Sequence, residues 1–213
     1  MAKLFNRNKV GPDMYKGGKT FTENYQGHLR AHHEANPLWA KGKPKFAGAD
    51  ILGIIRARGY IRSILDYGCG KGGFGVWLKE FYPEVQYFGY DPGILGKEKL
   101  PDRKFDLVMT TDVMEHIEPA LVDNTIQQLW DLTKTVMYNN IACTPTDERF
   151  KDEGEYKGES LHLSVHTPEE WRDRFMNVLG DDPKYSPFEW SHRTRRWHSE
   201  MRPRCVMVDE RSG

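Results

Sequence analysis

Residues 63–75 read SILDYGCGKGGFG, with five glycines in the eight positions 68–75 directly behind a short apolar run. The apolar residues predict a buried strand, and the glycines predict a turn in which the backbone comes close to a ligand before a helix begins. Working outward, residues 47–59 (AGADILGIIRARG) predict an amphipathic helix ended by Gly59. GFGVWLKEFY predicts a helix stopped by Pro83, and VQYFGYD a strand closed by Asp91-Pro92-Gly93. KFDLVMTTD (104–112) and TVMYNNIAC (135–143) read as further buried strands. Between them, residues 118–134 place Leu121, Val122, Ile126, Leu129 and Trp130 at helical spacing with Pro119 in the first turn. Residues 167–180 (TPEEWRDRFMNVLG) predict a helix with Thr167 as N-cap, Pro168 in the first turn and Glu170 completing a capping box. Two late strands are expected around PFEWSH (187–192) and RCVMVD (204–209), and a short helix around residues 22–35. Alternating strands and helices predict an α/β fold, Rossmann-like and doubly wound, with a mainly parallel sheet and helices on both faces. Its strand-to-helix loops would share one edge, where ligands bind. Residues 1–45 are read as an N-terminal arm or lid and 46–213 as the Rossmann-like domain.

Three ligands suit such a glycine loop. A phosphate-cradling P-loop needs Lys-Ser/Thr after its last glycine, but Gly72, Gly73 and Phe74 follow Lys71. The dinucleotide fingerprint G-x-G-x-x-G is met by Gly68, Gly70 and Gly73, with Asp91 placed 18 residues after Gly73. Asp66 opposes that reading, because a carboxylate at the strand tip would repel an incoming pyrophosphate. The same carboxylate favours a ligand with a positive end, and S-adenosylmethionine carries an ammonium and a sulfonium and no phosphate. Asp91 can accept hydrogen bonds from ribose hydroxyls in either case.

ILDYGCGKGGFG, then YFGYDP, then FDLVMTTDVMEHI resemble the successive motifs of the class I S-adenosylmethionine-dependent methyltransferases, in particular the group with ubiquinone- and menaquinone-type members. LHLSVHTPEEWRDRF resembles that group's late segment, and the likeness covers about residues 50–180. It implies a methyltransferase with S-adenosyl-L-methionine as cofactor, held by Asp66, Tyr67, Gly68, Cys69, Gly70, Gly72, Asp91, Pro92, Thr111 and Asp112. One departure is plain: residues 92–104 are too short for the helix and strand most members place between Asp91 and Phe105. The fold is therefore expected to be abbreviated after its second strand, with Ile94, Leu95 and Leu100 as an apolar wall for adenine.

The catalytic candidates are His116, Asp112 and Glu115. His116 is the natural general base, since an imidazole titrates near neutrality. Asp112 would lie beside the methionine moiety, and Glu115 with His116 can also cap the helix that follows. With a distant His162 or His166, Asp112, Glu115 and His116 also resemble the metal-binding Glu-x-x-Glu-His…His set of small-RNA 2′-O-methyltransferases. An Asp replaces the first Glu here, and no metal is assigned. Cys143 reads as a small buried residue, since no Pro-Cys nucleophile motif accompanies it.

The chain has 213 residues and zero formal net charge, unevenly placed. Residues 1–46 hold nine Lys/Arg against three Asp/Glu, and the remainder 22 against 28. The stretch WSHRTRRWHSEMRPR (190–204) adds five arginines interleaved with two tryptophans. Both features leave nucleic acid open as a partner beside an unknown small-molecule acceptor. Mean hydropathy is −0.72, no apolar run reaches a membrane span, and three widely spaced cysteines suggest a cytoplasmic protein. The expected function is methyl transfer to an oxygen or nitrogen of a small-molecule or sugar-like acceptor. The alternatives are transfer to nucleic acid of the RNA 2′-O type, with or without a metal, nucleic-acid binding on the same fold, and a dinucleotide oxidoreductase. Residues 21–45, 144–166 and 190–204 are expected to shape the acceptor pocket, with Tyr15 and Tyr25 closing over the cofactor.

Overall fold

The computed structural model describes residues 19–41, 47–151, 155–197 and 200–211, with the backbone alone over 187–197 and 200–203. Tyr15, most of the basic N-terminal stretch and the side chains of the Arg/Trp-rich segment before Arg204 lie outside the described residues. Six strands form one sheet: β1 (Ser63–Tyr67), β2 (Gln86–Tyr90), β3 (Phe105–Thr111), β4 (Thr133–Ala142), β5 (Tyr185–Trp197) and β6 (Glu200–Arg211). Their spatial order is β2-β1-β3-β4-β6-β5. The first four are parallel, while β6 runs antiparallel to β4 and to β5, so the sheet is mixed. The late strands form a long hairpin, well beyond the two short segments their sequence suggests.

Among the described residues five α-helices accompany the sheet: α1 (Glu23–Ala35), α2 (Gly48–Arg58), α3 (Gly73–Phe81), α4 (Val122–Leu132) and α5 (Pro168–Leu179). Side chains alternate across β3 and β4, and each strand feeds both faces. Leu107, Met109, Val136 and Tyr138 pack with Ile51, Ile55 and Phe74 of α2 and α3. Val108, Met137 and Ile141 pack with Ile126, Trp130, Trp171 and Phe175 of α4 and α5. Burial on both faces explains why these strands read as near-continuous apolar runs. Gly59 ends α2 in the left-handed region (φ 60°), and the capping box of Thr167 and Glu170 starts α5, as the sequence predicts.

Residues 91–104 hold neither helix nor strand, which is the expected abbreviation. A third apolar cluster lies outside the two layers. Tyr25, Phe150 and Leu161 pack with Leu29, Trp39 and Tyr156, which docks α1 on the 144–163 loop. Glu118 fastens this arrangement: its carboxylate accepts from the Thr22 N–H (2.8 Å), the Thr22 hydroxyl (2.9 Å) and the Tyr156 hydroxyl (2.7 Å). Among the described residues no helix is long and apolar enough to cross a membrane.

Candidate active site

Strand β1 delivers Asp66 and Tyr67 to the carboxyl edge of the sheet, and the glycine loop follows. Gly68 and Gly70 adopt positive φ (78° and 51°), and neither tolerates a Cβ. At Gly68 it would strike the Val113 side chain, and at Gly70 the Ala40 carbonyl oxygen. Each loop N–H from 68 to 73 already has a protein acceptor. Gly68 and Cys69 donate to the Tyr90 carbonyl (2.7 and 3.0 Å), and Gly70 to Asp91 Oδ2 (2.9 Å). Gly72 donates to the Cys69 carbonyl (3.0 Å). Lys71 and Gly73 donate to the carbonyls of Ala40 (2.8 Å) and Lys41 (3.0 Å), which come from the segment after α1. The donors that hold phosphate at a helix start in nucleotide-binding loops are thus spent within the chain.

Two carboxylates face the cavity beside this loop. Asp66 is buried and accepts from the Tyr87 hydroxyl (2.6 Å). Burial pushes its carboxyl up to about 6, against the pull of that hydrogen bond. Asp91 is buried as well, with Oδ1 accepting from the Gly93 N–H (2.9 Å). Burial raises its carboxyl, and the two backbone N–H groups hold it down. His33 of α1 brings Nε2 within 3.7 Å of Asp91 Oδ1. Burial lowers that imidazole to about 4, so at neutral pH a neutral ring lies against the carboxylate.

Beyond β3 the backbone reverses at Asp112 (φ 54°), a conformation an aspartate tolerates better than most side chains. Its N–H donates to the Asn140 carbonyl (3.0 Å), and its Oδ1 meets the Arg204 guanidinium at 2.6 Å. Arg204 also donates to Asn140 Oδ1 and its carbonyl (2.5 and 3.0 Å). It enters from β6, whose antiparallel course pairs Arg204 with Ala142 at the same sheet edge. A 3₁₀ turn, Met114–His116, then turns Glu115 inward. Glu115 is fully buried; Oε1 accepts from the Ala142 N–H (3.1 Å) and Oε2 has no partner. Burial and the neighbouring Asp112 raise its carboxyl to about 8, with Arg204 opposing. His116 donates Nδ1–H to the Leu161 carbonyl (2.8 Å), and His162 donates Nδ1–H to the Thr144 carbonyl (2.6 Å). Their rings meet edge to face, centroids 4.8 Å apart. Burial, with His162 alongside, lowers His116 to about 3, and burial lowers His162 too.

These groups line one cavity of about 750 Å³. Of the residues expected from sequence, Asp66, Tyr67, Gly68, Cys69, Gly70, Asp91, Pro92, Thr111, Asp112 and His116 line it. Gly72 does not: it is the left-handed N-cap of α3 and shapes the turn (φ 81°). Glu115 sits behind the wall, and Tyr67 sends its hydroxyl away to Gln128 Oε1 (2.8 Å). The expected adenine wall is absent among the lining residues: Leu95 is 81% exposed and Leu100 packs into the core. Apolar lining comes instead from Phe21, Leu29, Leu38 and Trp39, on and beside α1. Tyr25 does line the cavity, but its hydroxyl is tied to the His116 carbonyl (2.7 Å). His166 stands apart from the other two histidines, against Trp171 (4.9 Å) and Arg174 (3.2 Å). Cys143 is buried, as read from sequence, and burial raises its thiol to about 12. Sequence reasoning placed Arg204 only within the 190–204 stretch expected at the acceptor pocket, without singling it out, and missed Glu118 as the fastener of α1.

No curated protein matches the sequence. Solved structures do. One is magnesium protoporphyrin IX methyltransferase from Synechocystis PCC 6803 with bound SAH, with TM-score 0.61 and 14% identity, covering 88% of this chain and 100% of that one. Another is 1,6-didemethyltoxoflavin-N1-methyltransferase from Burkholderia thailandensis, with TM-score 0.60 and 15% identity over 89% of each chain. At such identity these likenesses establish the fold. The family described as "Methyltransferase domain" matches residues 30–205, from α1 through the start of β6. The chain belongs to this methyltransferase domain family and carries the fold of the class I S-adenosylmethionine-dependent enzymes.

Proposed function

We propose that the protein transfers a methyl group from S-adenosylmethionine to an oxygen or nitrogen atom of a small-molecule or sugar-like acceptor. The observation that carries this reading is the hydrogen-bond inventory of the glycine loop. Each N–H from Gly68 to Gly73 is satisfied within the chain, while Asp66 and Asp91 line the cavity beside it. Such a site repels a diphosphate and suits a cationic ligand bearing a ribose. The residues fit that group in a second way: Thr111 Oγ1, at the cavity wall, is buried with no partner, a polar atom awaiting one.

S-adenosylmethionine brings the chemistry, a methyl on a sulfonium that is already a good leaving group. The protein's part is to bind, orient and exclude water. Asp66 would take the ammonium, and Asp91 the ribose hydroxyls through the lone pairs its backbone donors leave free. The walls from α1 and residues 38–41 would cover the cofactor. His116 is neutral at pH 7, and its ring, held by the Leu161 carbonyl, would shape the acceptor end of the cavity. Its lowered basicity makes it a weak store for the departing proton.

Calorimetry tests the cofactor assignment. S-adenosylhomocysteine should bind and NADH should not, and Asp91→Ala should weaken the former at least about tenfold, the scale of one charged hydrogen bond lost. Unchanged affinity in that variant removes the ribose role. The acceptor is found by incubating the protein with labelled methyl donor and fractionated lysate, then asking by mass spectrometry whether a small molecule or RNA gains the label.

A further inference from the structure

We propose that Glu115, His116 and His162 form a binding site for one divalent transition-metal ion at the acceptor end of the cavity. The three come from two separate segments, the 3₁₀ turn after β3 and the loop before α5. One donor atom of each lies within 4.8 Å of the others. Ligand atoms of a tetrahedral ion at ~2.1 Å lie ~3.4 Å apart, so side-chain rotations that move the donors by about an ångström would close the set.

Two independent features point the same way. First, both imidazoles spend Nδ1–H on a main-chain carbonyl, Leu161 for His116 and Thr144 for His162. A carbonyl only accepts, so the tautomer is fixed and Nε2 carries the lone pair in each ring. That is how proteins orient imidazoles that ligate metals. Second, Glu115 is fully buried with Oε2 unpartnered. A buried carboxyl oxygen without a partner is costly, and a cation that displaces the carboxyl proton is a partner that would satisfy it. Arg204 is engaged elsewhere, on Asp112 and Asn140.

Two imidazoles and one carboxylate suit zinc, cobalt, iron or nickel better than magnesium. Three protein ligands also leave open positions. Because His116 and His162 both line the cavity, those positions would face the acceptor. The acceptor class this implies is a hydroxyl compound, whose proton an ion makes easier to lose; that last step rests on the methyl transfer proposed above.

The test is metal binding, read apart from activity. Protein stripped with EDTA is titrated with zinc chloride by calorimetry and with cobalt chloride by visible absorption. One equivalent should bind, and His162→Ala and Glu115→Gln should each weaken it by about tenfold or more. His166→Ala should bind like the wild type. If His162→Ala loses its circular-dichroism spectrum, His162→Gln replaces it. Wild-type protein that takes neither ion, or a folded His162 variant that binds as tightly as wild type, overturns the site. S-adenosylhomocysteine binding, measured on the same samples without metal, separates the two readings. Its presence without metal binding refutes only the metal site, and the converse refutes only the cofactor assignment.

Discussion

At Asp66, burial lifts the carboxyl to about 6 while the Tyr87 hydroxyl pulls it down. A ligand ammonium binds the carboxylate form, so the bound pKa lies below the free one. Between the two, binding releases a proton and affinity rises with pH. S-adenosylhomocysteine, which keeps the ammonium, should therefore bind with nearly constant affinity above pH 7 and weaken toward pH 5, by up to about tenfold per unit. Asp66→Asn should flatten part of this slope and weaken binding at pH 8; calorimetry from pH 5 to 8 that returns the wild-type slope would remove Asp66 from the ammonium site. Most of these residues were legible because short motifs announce them: Asp66, Asp91 and Asp112 each follow an apolar strand. The roles of Arg204 and Glu118 were not, because Arg204 meets Asn140 64 positions away and Glu118 meets Thr22 96 positions away.

Helix α1 shows at the scale of one element why part of the site is hard to read. Its buried positions are Tyr25, His28, His32 and His33, so its inner face is aromatic and polar and gives little hydrophobic periodicity. The segment after it is tied to the glycine loop through its own carbonyls, Ala40 and Lys41 accepting from loop amides and Asn36 and Trp39 from Lys71 Nζ, and a carbonyl acceptor leaves no signature in residue type. Gly70 is where the two meet. Gly70→Ala would set a methyl against the Ala40 carbonyl, at a φ an alanine resists. We expect it to displace residues 38–41, lower S-adenosylhomocysteine affinity at least about tenfold, and leave the sheet intact. Circular dichroism and calorimetry together check this: a folded variant with wild-type affinity contradicts the contact. The adenine wall failed for another reason: Ile94, Leu95 and Leu100 are apolar in type, but none lines the cavity, Leu95 being exposed and Leu100 packed against the core.

Across the whole molecule, the sheet was largely legible because strand and helix periods alternate cleanly from residue 48 to 180. The antiparallel hairpin of β5 and β6 was only half visible, since charged residues interrupt its pattern. Within it, Asp209 is buried between strands, with Oδ1 accepting from the Tyr185 hydroxyl (2.9 Å) and Oδ2 unpartnered. Burial raises this carboxyl to about 7. A folded pKa above the unfolded one favours the native state most at low pH, and that advantage fades as pH climbs from about 4 to 7. Asp209→Asn should accordingly raise the melting temperature more at pH 8 than at pH 5, by at least about 3 °C. Equal shifts at both pH values would show that the group is not protonated in the fold.

The carbonyls of Ala40 and Lys41 hold the Lys71 and Gly73 amides at the start of α3. They act as an electrostatic plug, filling with the chain's own oxygens a nest that would otherwise welcome sulfate or a nucleotide tail. A truncated form beginning at residue 47 would bare two amides there and begin to compete for inorganic anions. The segment that follows the N-terminal helix thereby becomes a guardian of ligand choice as well as a cover.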